Sequence, residues 1–265
     1  MIEALLAFVF GLLIGSFLNV CIYRWPRDLS VVKPRSHCPA CQKTIAWYDN
    51  VPLVSYAVLG GQCRQCGARI SLRYPVVELA TGLLFFYFVL TLGATLAALQ
   101  MCVFTAMLVA LVFTDLEELI LPDELTLGGL LAGLAFAVFV PLRDPYSQTL
   151  LWLLGVTLPE GWARSLAGAA VGALLPALFL WGGGWLYLKL RHREGLGLGD
   201  VKLVAMVGAF LGLGGALLTM IAGSIAGSIL GYAYIKATGK DPATYELPFG
   251  TFLGCAALLA ALLNR

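Results

Sequence analysis

"EGLGLGDVKLVAMVGAFLGLGG", residues 194–215, sets three glycines and three charges in front of an uninterrupted apolar run. After Lys202 no charged residue returns before Lys236. A run of that kind is membrane-grade sequence, and it leaves Asp200 as a bare acid at the mouth of an apolar helix. The reading of this stretch decides the class of the whole chain.

Composition agrees with it. Hydrophobic residues make up 60% of the chain and charged residues 12%, where soluble domains carry about 25% charged residues. The mean hydropathy is +0.88. The chain of 265 residues therefore reads as an all-α polytopic membrane protein. Apolar runs place about eight transmembrane helices, over 2–23, 76–92, 95–114, 125–140, 166–188, 201–213, 216–235 and 251–263. The boundary between the sixth and seventh rests only on the glycines of "GLGG". The first run is not read as a cleaved signal, because it is long, begins with Glu3 and lacks a small-residue cleavage site.

Lys and Arg set the orientation. Eight of them lie in the first loop, and Lys189, Arg191, Arg193, Lys202, Lys236 and Lys240 lie near two further loops. Eight spans place all three loops on one side, which the positive-inside rule makes the cytoplasm. Only Arg143, Arg164 and Arg265 remain for the other side. Such a face suits anionic lipid headgroups. No basic stripe interleaved with aromatics points to nucleic acid.

The first loop carries Cys38-Pro-Ala-Cys41 and Cys63-Arg-Gln-Cys66. Two such pairs match a four-thiolate zinc site, with Gly67 supplying the tight turn after the second. A disulfide reading conflicts with a reducing cytoplasm, and a redox reading needs only one pair. Four thiolates fill the coordination sphere, so the role is structural: a loop this short lacks a core of its own. His37 reads as a solvated loop residue or a replacement ligand. Cys21, Cys102 and Cys255 read as small apolar residues of membrane segments. The organisation is a first helix (1–23), a small cytoplasmic zinc-binding loop domain (24–75) and a helical bundle carrying the acids (76–265).

Acids inside membrane segments are expensive and call for a function. Asp115 ends the apolar run "MCVFTAMLVALVFTD", and Glu117 and Glu118 read as a solvated face. Asp123, after Pro122, reads as a helix N-cap. Glu78 reads as an intramembrane hydrogen-bond anchor or a chemical group. Asp200 has an N-cap reading too, but the topology brings it to the same face as Asp115. Two carboxylates at one depth suit an aspartyl hydrolase, in which one polarises a carbonyl and the other takes a proton from water. The helix dipoles assign the shared proton to Asp115 and the base to Asp200. The two histidines, His37 and His192, leave no Ser/His/Asp arrangement to compete.

"GSFLNVCIYR", "CPAC", "CRQC", "RYPVVELATG", "TDLEELILPDELT" and "GLGLGDVKLVAMVGAFLG" follow one another in this order. In these segments the chain closely resembles the bacterial type IV prepilin peptidases, enzymes of the Gly-x-Gly-Asp class of aspartic peptidases. The resemblance runs from Gly15 to about Gly254. It implies an inner-membrane enzyme with two activities, with zinc loop and active site on the cytoplasmic side. One activity removes the basic leader of prepilins and pseudopilins, usually after a glycine. The other methylates the new N-terminal amine, typically of phenylalanine, with S-adenosylmethionine. The family's paired aspartates fall on Asp115 and Asp200 and its cysteines on Cys38, Cys41, Cys63 and Cys66.

This chain reads Pro248-Phe249-Gly250-Thr251 where members often have a second proline. The change is expected to matter little, since Thr can cap a helix where Pro would start it. Methyl transfer calls for a cofactor pocket near the membrane surface, and the zinc loop is the soluble segment large enough to form much of it. Gly60 and Gly61, in "VLGGQC", either let backbone amides approach the cofactor or simply make a turn before the zinc knuckle. Two other classes compete. A secondary transporter also uses glycine-broken helices and intramembrane acids, but no internal repeat is visible and both key acids lie at one face. A non-catalytic zinc-bearing scaffold would tolerate loss of Asp115.

Overall fold

The computed structural model describes residues 1–192, 196–239 and 247–263. Of the residues read above, Arg193, Glu194, Gly195, Lys240 and Arg265 lie outside them. Among the described residues there are nine α-helices and no strand beyond two isolated bridges. The helices are α1 (Ile2–Arg24), α2 (Val54–Val58), α3 (Arg73–Leu92), α4 (Leu96–Glu118), α5 (Asp123–Phe139), α6 (Pro145–Leu153), α7 (Trp162–Arg191), α8 (Leu198–Thr238) and α9 (Phe249–Leu263).

Five helices are long and apolar enough to cross a membrane: α1 with its short extension, α3, α4, α7 and α8. This makes the chain a multi-pass membrane protein. The difference from eight spans has a geometric origin. The count of five takes α8 as one element, although it is two helical segments that meet at Gly212, where φ is 75°, so the expected spans 201–213 and 216–235 fall on its two sides. The break falls in the "GLGG" that the sequence had marked. α5 has 17 residues and α9 has 15, about 26 and 23 Å of helix against a hydrocarbon core of about 30 Å.

The chain divides into two compact units, Met1–Ala110 and Leu111–Arg265. In the first, α1 packs along α3. The contact is made by small residues: a Cβ on Gly15 would stand 2.6 Å from the Cα of Glu78. Large side chains such as Leu5, Leu6, Val9 and Phe10 point outward instead. Small inside and large outside is how helices associate in lipid, where apolar surface gains nothing by hiding from the solvent.

In the second unit, α8 is the hub, packed against α5, α6, α7 and α9. Gly172 of α7 and Gly208 of α8 meet backbone to backbone, with no room for a side chain at either. The break at Gly212 exposes backbone donors, and Asp144 meets them. Its Oδ2 accepts the N–H of Leu213 at 2.9 Å and that of Ser147, in the first turn of α6, at 2.8 Å. One buried carboxylate thus caps α6 and the second half of α8 together. The sequence reading passed over Asp144, although its place before Pro145 is a helix-start signal.

Candidate functional site

The cysteine site lies in the first unit. Each pair sits in a small hairpin, marked by the bridges His37–Thr44 and Gln62–Arg69. Cys38 N–H donates to the Lys43 carbonyl at 3.0 Å and Cys63 N–H to that of Ala68 at 2.8 Å, so the two knuckles repeat one geometry. The residue after each second cysteine turns left-handed: Gly67 has φ 70°, as expected, and Gln42 takes φ 58° in the matching place. All four sulfurs lie within 4.8 Å of one another. Sulfurs about 2.3 Å from a tetrahedral zinc would stand about 3.8 Å apart. Cys38 Sγ and Cys66 Sγ are separated by 3.8 Å, so the donor set fits zinc. His37 is not part of the group.

The surroundings of the second pair act on its two sulfurs in opposite directions. N–H groups of Gln65 and Cys66 hold the Cys63 thiol down to about 7. At Cys66 an Ala68 N–H also lowers the thiol, but burial and the neighbouring thiols outweigh it and push it up to about 11. Asp49 and Arg64 add a bidentate clamp beside the second knuckle, with contacts of 2.7 to 3.0 Å. The Arg64 guanidinium holds the Asp49 carboxyl below the usual carboxylate range. Of the other cysteines, Cys21 and Cys102 are buried as expected, while Cys255 is exposed on its helix.

Gly60 and Gly61 follow α2 with φ of 59° and 69°, a left-handed pair that a side chain would strain. They differ in openness. Nothing lies within 4 Å of where a Cβ on Gly60 would stand, while at Gly61 the Tyr56 hydroxyl would be 2.9 Å away. The backbone is therefore open at Gly60, while Tyr56 closes that side of Gly61. Neither glycine lines the groove of about 390 Å³ formed by Phe17, Arg24, Arg35 and Trp47 with their neighbours.

The acids of the second unit converge. Asp115, near the end of α4, is 6% exposed, and Asp200 is 8% exposed. Gly197 is the N-cap of α8, which puts Asp200 third in the helix and removes its N-cap reading. Its Oδ2 stands 3.4 Å from where a Cβ on Gly197 would be, at the start of its own helix, and the carboxylate lies within electrostatic reach of Asp115. The glycines before it do not supply unusual backbone geometry among the described residues: Gly197 has φ −73°. They supply closeness, since a Cβ on Gly199 would lie 3.1 Å from Leu121.

Leu121 also meets Gly250, whose Cβ would stand 2.9 Å from it and 3.0 Å from Cγ of Asp115. Thr251 completes the arrangement. Its hydroxyl donates to Asp115 Oδ2 at 2.9 Å and its backbone N–H donates to the same oxygen. Thr251 is therefore not a cap of α9. It is the third residue of that helix and directs both donors to Asp115. Sequence reasoning missed this, though "PFGT" held the signal: a glycine that permits close approach, followed by a residue with two donors.

The remaining acids take structural positions. Asp123 is the first residue of α5, whose N-cap is Pro122. Its N-cap reading is corrected: the carboxylate pairs with Lys202 at 2.6 Å instead of folding back on its own helix. Glu78 is the anchor that one of its two readings proposed, accepting the Leu53 N–H at 2.9 Å.

Comparison with known proteins joins both sites. Residues 9–92 match the family model described as the bacterial Peptidase A24 N-terminal domain, and residues 102–232 match that of the type IV leader peptidase family. A protein of Myxococcus xanthus named prepilin leader peptidase/N-methyltransferase is 43% identical over 89% of this chain and 64% of its own length. Proteins of the same name from Aeromonas salmonicida and Pseudomonas aeruginosa are 36% and 35% identical, over 97% and 95% of this chain and 89% and 87% of theirs. No solved structure matches. With buried paired acids in one unit, a four-thiolate cluster in the other, and these relatives along nearly its whole length, the chain belongs to the type IV leader peptidase family.

Proposed function

We propose that the chain is a cytoplasmic-membrane enzyme that cleaves the leader of prepilins and pseudopilins by a two-aspartate mechanism and methylates the N-terminal amine it creates. The observation that carries this reading is the pair Asp115 and Asp200, two buried acids at a helix end and a helix start, within electrostatic reach of each other. A carboxyl that holds a proton polarises the scissile carbonyl. Its ionised partner takes a proton from the attacking water. The helix dipoles do not separate these roles as simply as the sequence implied. The start of α9 reaches Asp115 and offsets the end of α4, so the dipoles alone do not assign the proton to either acid. The positive-inside rule supports a cytoplasmic site, where the apolar helix of a pilin meets its basic leader.

Residues 24–75 form the zinc-bearing loop domain in this reading, with Cys38, Cys41, Cys63 and Cys66 holding an ion that stabilises it. S-adenosylmethionine, when bound, supplies the methyl group. The backbone at Gly60 is its candidate contact in this chain, and Gly61 shapes the turn behind it. The transporter reading is not favoured, because the matched families are peptidases.

The test is mass analysis of a co-expressed prepilin, which reports cleavage and methylation together. Asp115→Asn and Asp200→Asn should each leave the leader uncut, with the variant still folded and still holding zinc. Full cleavage by either variant would remove the assignment.

A further inference from the structure

Asp115 has two carboxylate oxygens, and the surroundings treat them differently. Oδ2 accepts both Thr251 donors, the hydroxyl at 2.9 Å and the backbone N–H. The Thr251 hydroxyl also lies 3.2 Å from the Val112 carbonyl, one turn back on α4, and its single proton goes to the shorter contact with Asp115. Oδ1 receives no donor from Thr251. A Cβ on Gly250 would stand 3.1 Å from it, so the missing side chain keeps that oxygen uncovered. An oxygen that already accepts two hydrogen bonds has its lone pairs engaged and is a poor seat for a catalytic proton.

We infer that Thr251 is a positioning residue, which pins Oδ2 of Asp115 so that Oδ1 is the oxygen presented to water and substrate. The inference rests on the catalytic reading of Asp115 given above. Thr251 touches neither substrate nor water in this role. It acts through Asp115 alone, by holding the carboxylate plane at a fixed angle. Asp200 is placed separately, in the first turn of α8. The two acids are thus set by two helix starts, and only that of Asp115 depends on a side-chain hydroxyl.

The experiment compares the Thr251→Ser, Thr251→Val and Thr251→Ala variants of the full chain in detergent. The substrate is a synthetic prepilin: a basic leader ending in glycine, then phenylalanine and an apolar segment. Ser keeps both donors, whereas Val and Ala keep only the N–H. Val and Ala should lower kcat for cleavage about ten- to hundredfold, the scale of a misplaced catalytic group. Their KM should stay within about twofold, because no substrate contact is lost. Ser should restore at least about half of kcat. Val and Ala variants that cleave like the unmodified enzyme would overturn the inference, as would a Ser variant that loses as much as they do. If Val fails to fold, Ala carries the same comparison. Asp115→Asn, run beside them, separates the two readings. If it still cleaves, the catalytic assignment fails; if it is inactive while Val and Ala cleave normally, only the role of Thr251 fails.

Discussion

At the scale of single residues, space decides more than charge. Gly250 is the clearest case, because its absent side chain sits against Asp115 Cγ. Gly250→Ala would bring a methyl group to about van der Waals overlap with that carbon and with Oδ1, so the carboxylate or the helix start must shift. The expected result is a loss of cleavage of at least about tenfold, with zinc content unchanged because the cysteines belong to the other unit. Unaltered kcat in Gly250→Ala would show that the site tolerates the shift. The Lys202–Asp123 pair, by contrast, is half in solvent. Pairs of that kind contribute about 0.2 to 1 kcal/mol, too little to organise a site.

At the scale of elements, the second unit depends on a break in its longest helix. Without the turn at Gly212, α8 would continue straight and its second half could not meet Asp144. With the turn, the part-buried donors at Leu213 and Gly214 need an acceptor, and Asp144 supplies it. Asp144→Ala should leave buried donors at two helix starts unsatisfied and cost about 2 to 4 kcal/mol. Thermal unfolding in detergent measures it, and Asp144→Asn, which keeps one acceptor oxygen, should recover part of the loss. An unchanged midpoint in Asp144→Ala would mean that other groups hold the break.

At the scale of the molecule, helices pack by close backbone approach in both units, and the loop of the first adds a four-sulfur cluster suited to a metal. Removing zinc with a chelator should therefore open residues 24–73 to proteolysis. Prepilin cleavage should remain above about half, since Asp115 and Asp200 lie in the other unit. Metal retention should weaken as pH falls, because protons compete with the ion for four thiolates. A metal-free protein with unchanged protease resistance would argue that the loop needs no metal.

What the sequence determined by itself was local and compositional. Long charge-free runs dictate membrane helices, two Cys-x-x-Cys pairs dictate a four-sulfur cluster, and "GLGG" marks a helix break, because each follows from a few neighbouring residues. Asp115 and Asp200 were legible for the same reason, as acids ending and beginning apolar runs. Tertiary structure decided what depends on distant segments meeting. It gave Asp144 two helix starts to cap, turned Asp123 toward Lys202, and set both donors of Thr251 on Asp115. A hydrogen bond between residues 136 positions apart has no local signature, since what selects it is the packing of one helix start against the end of another.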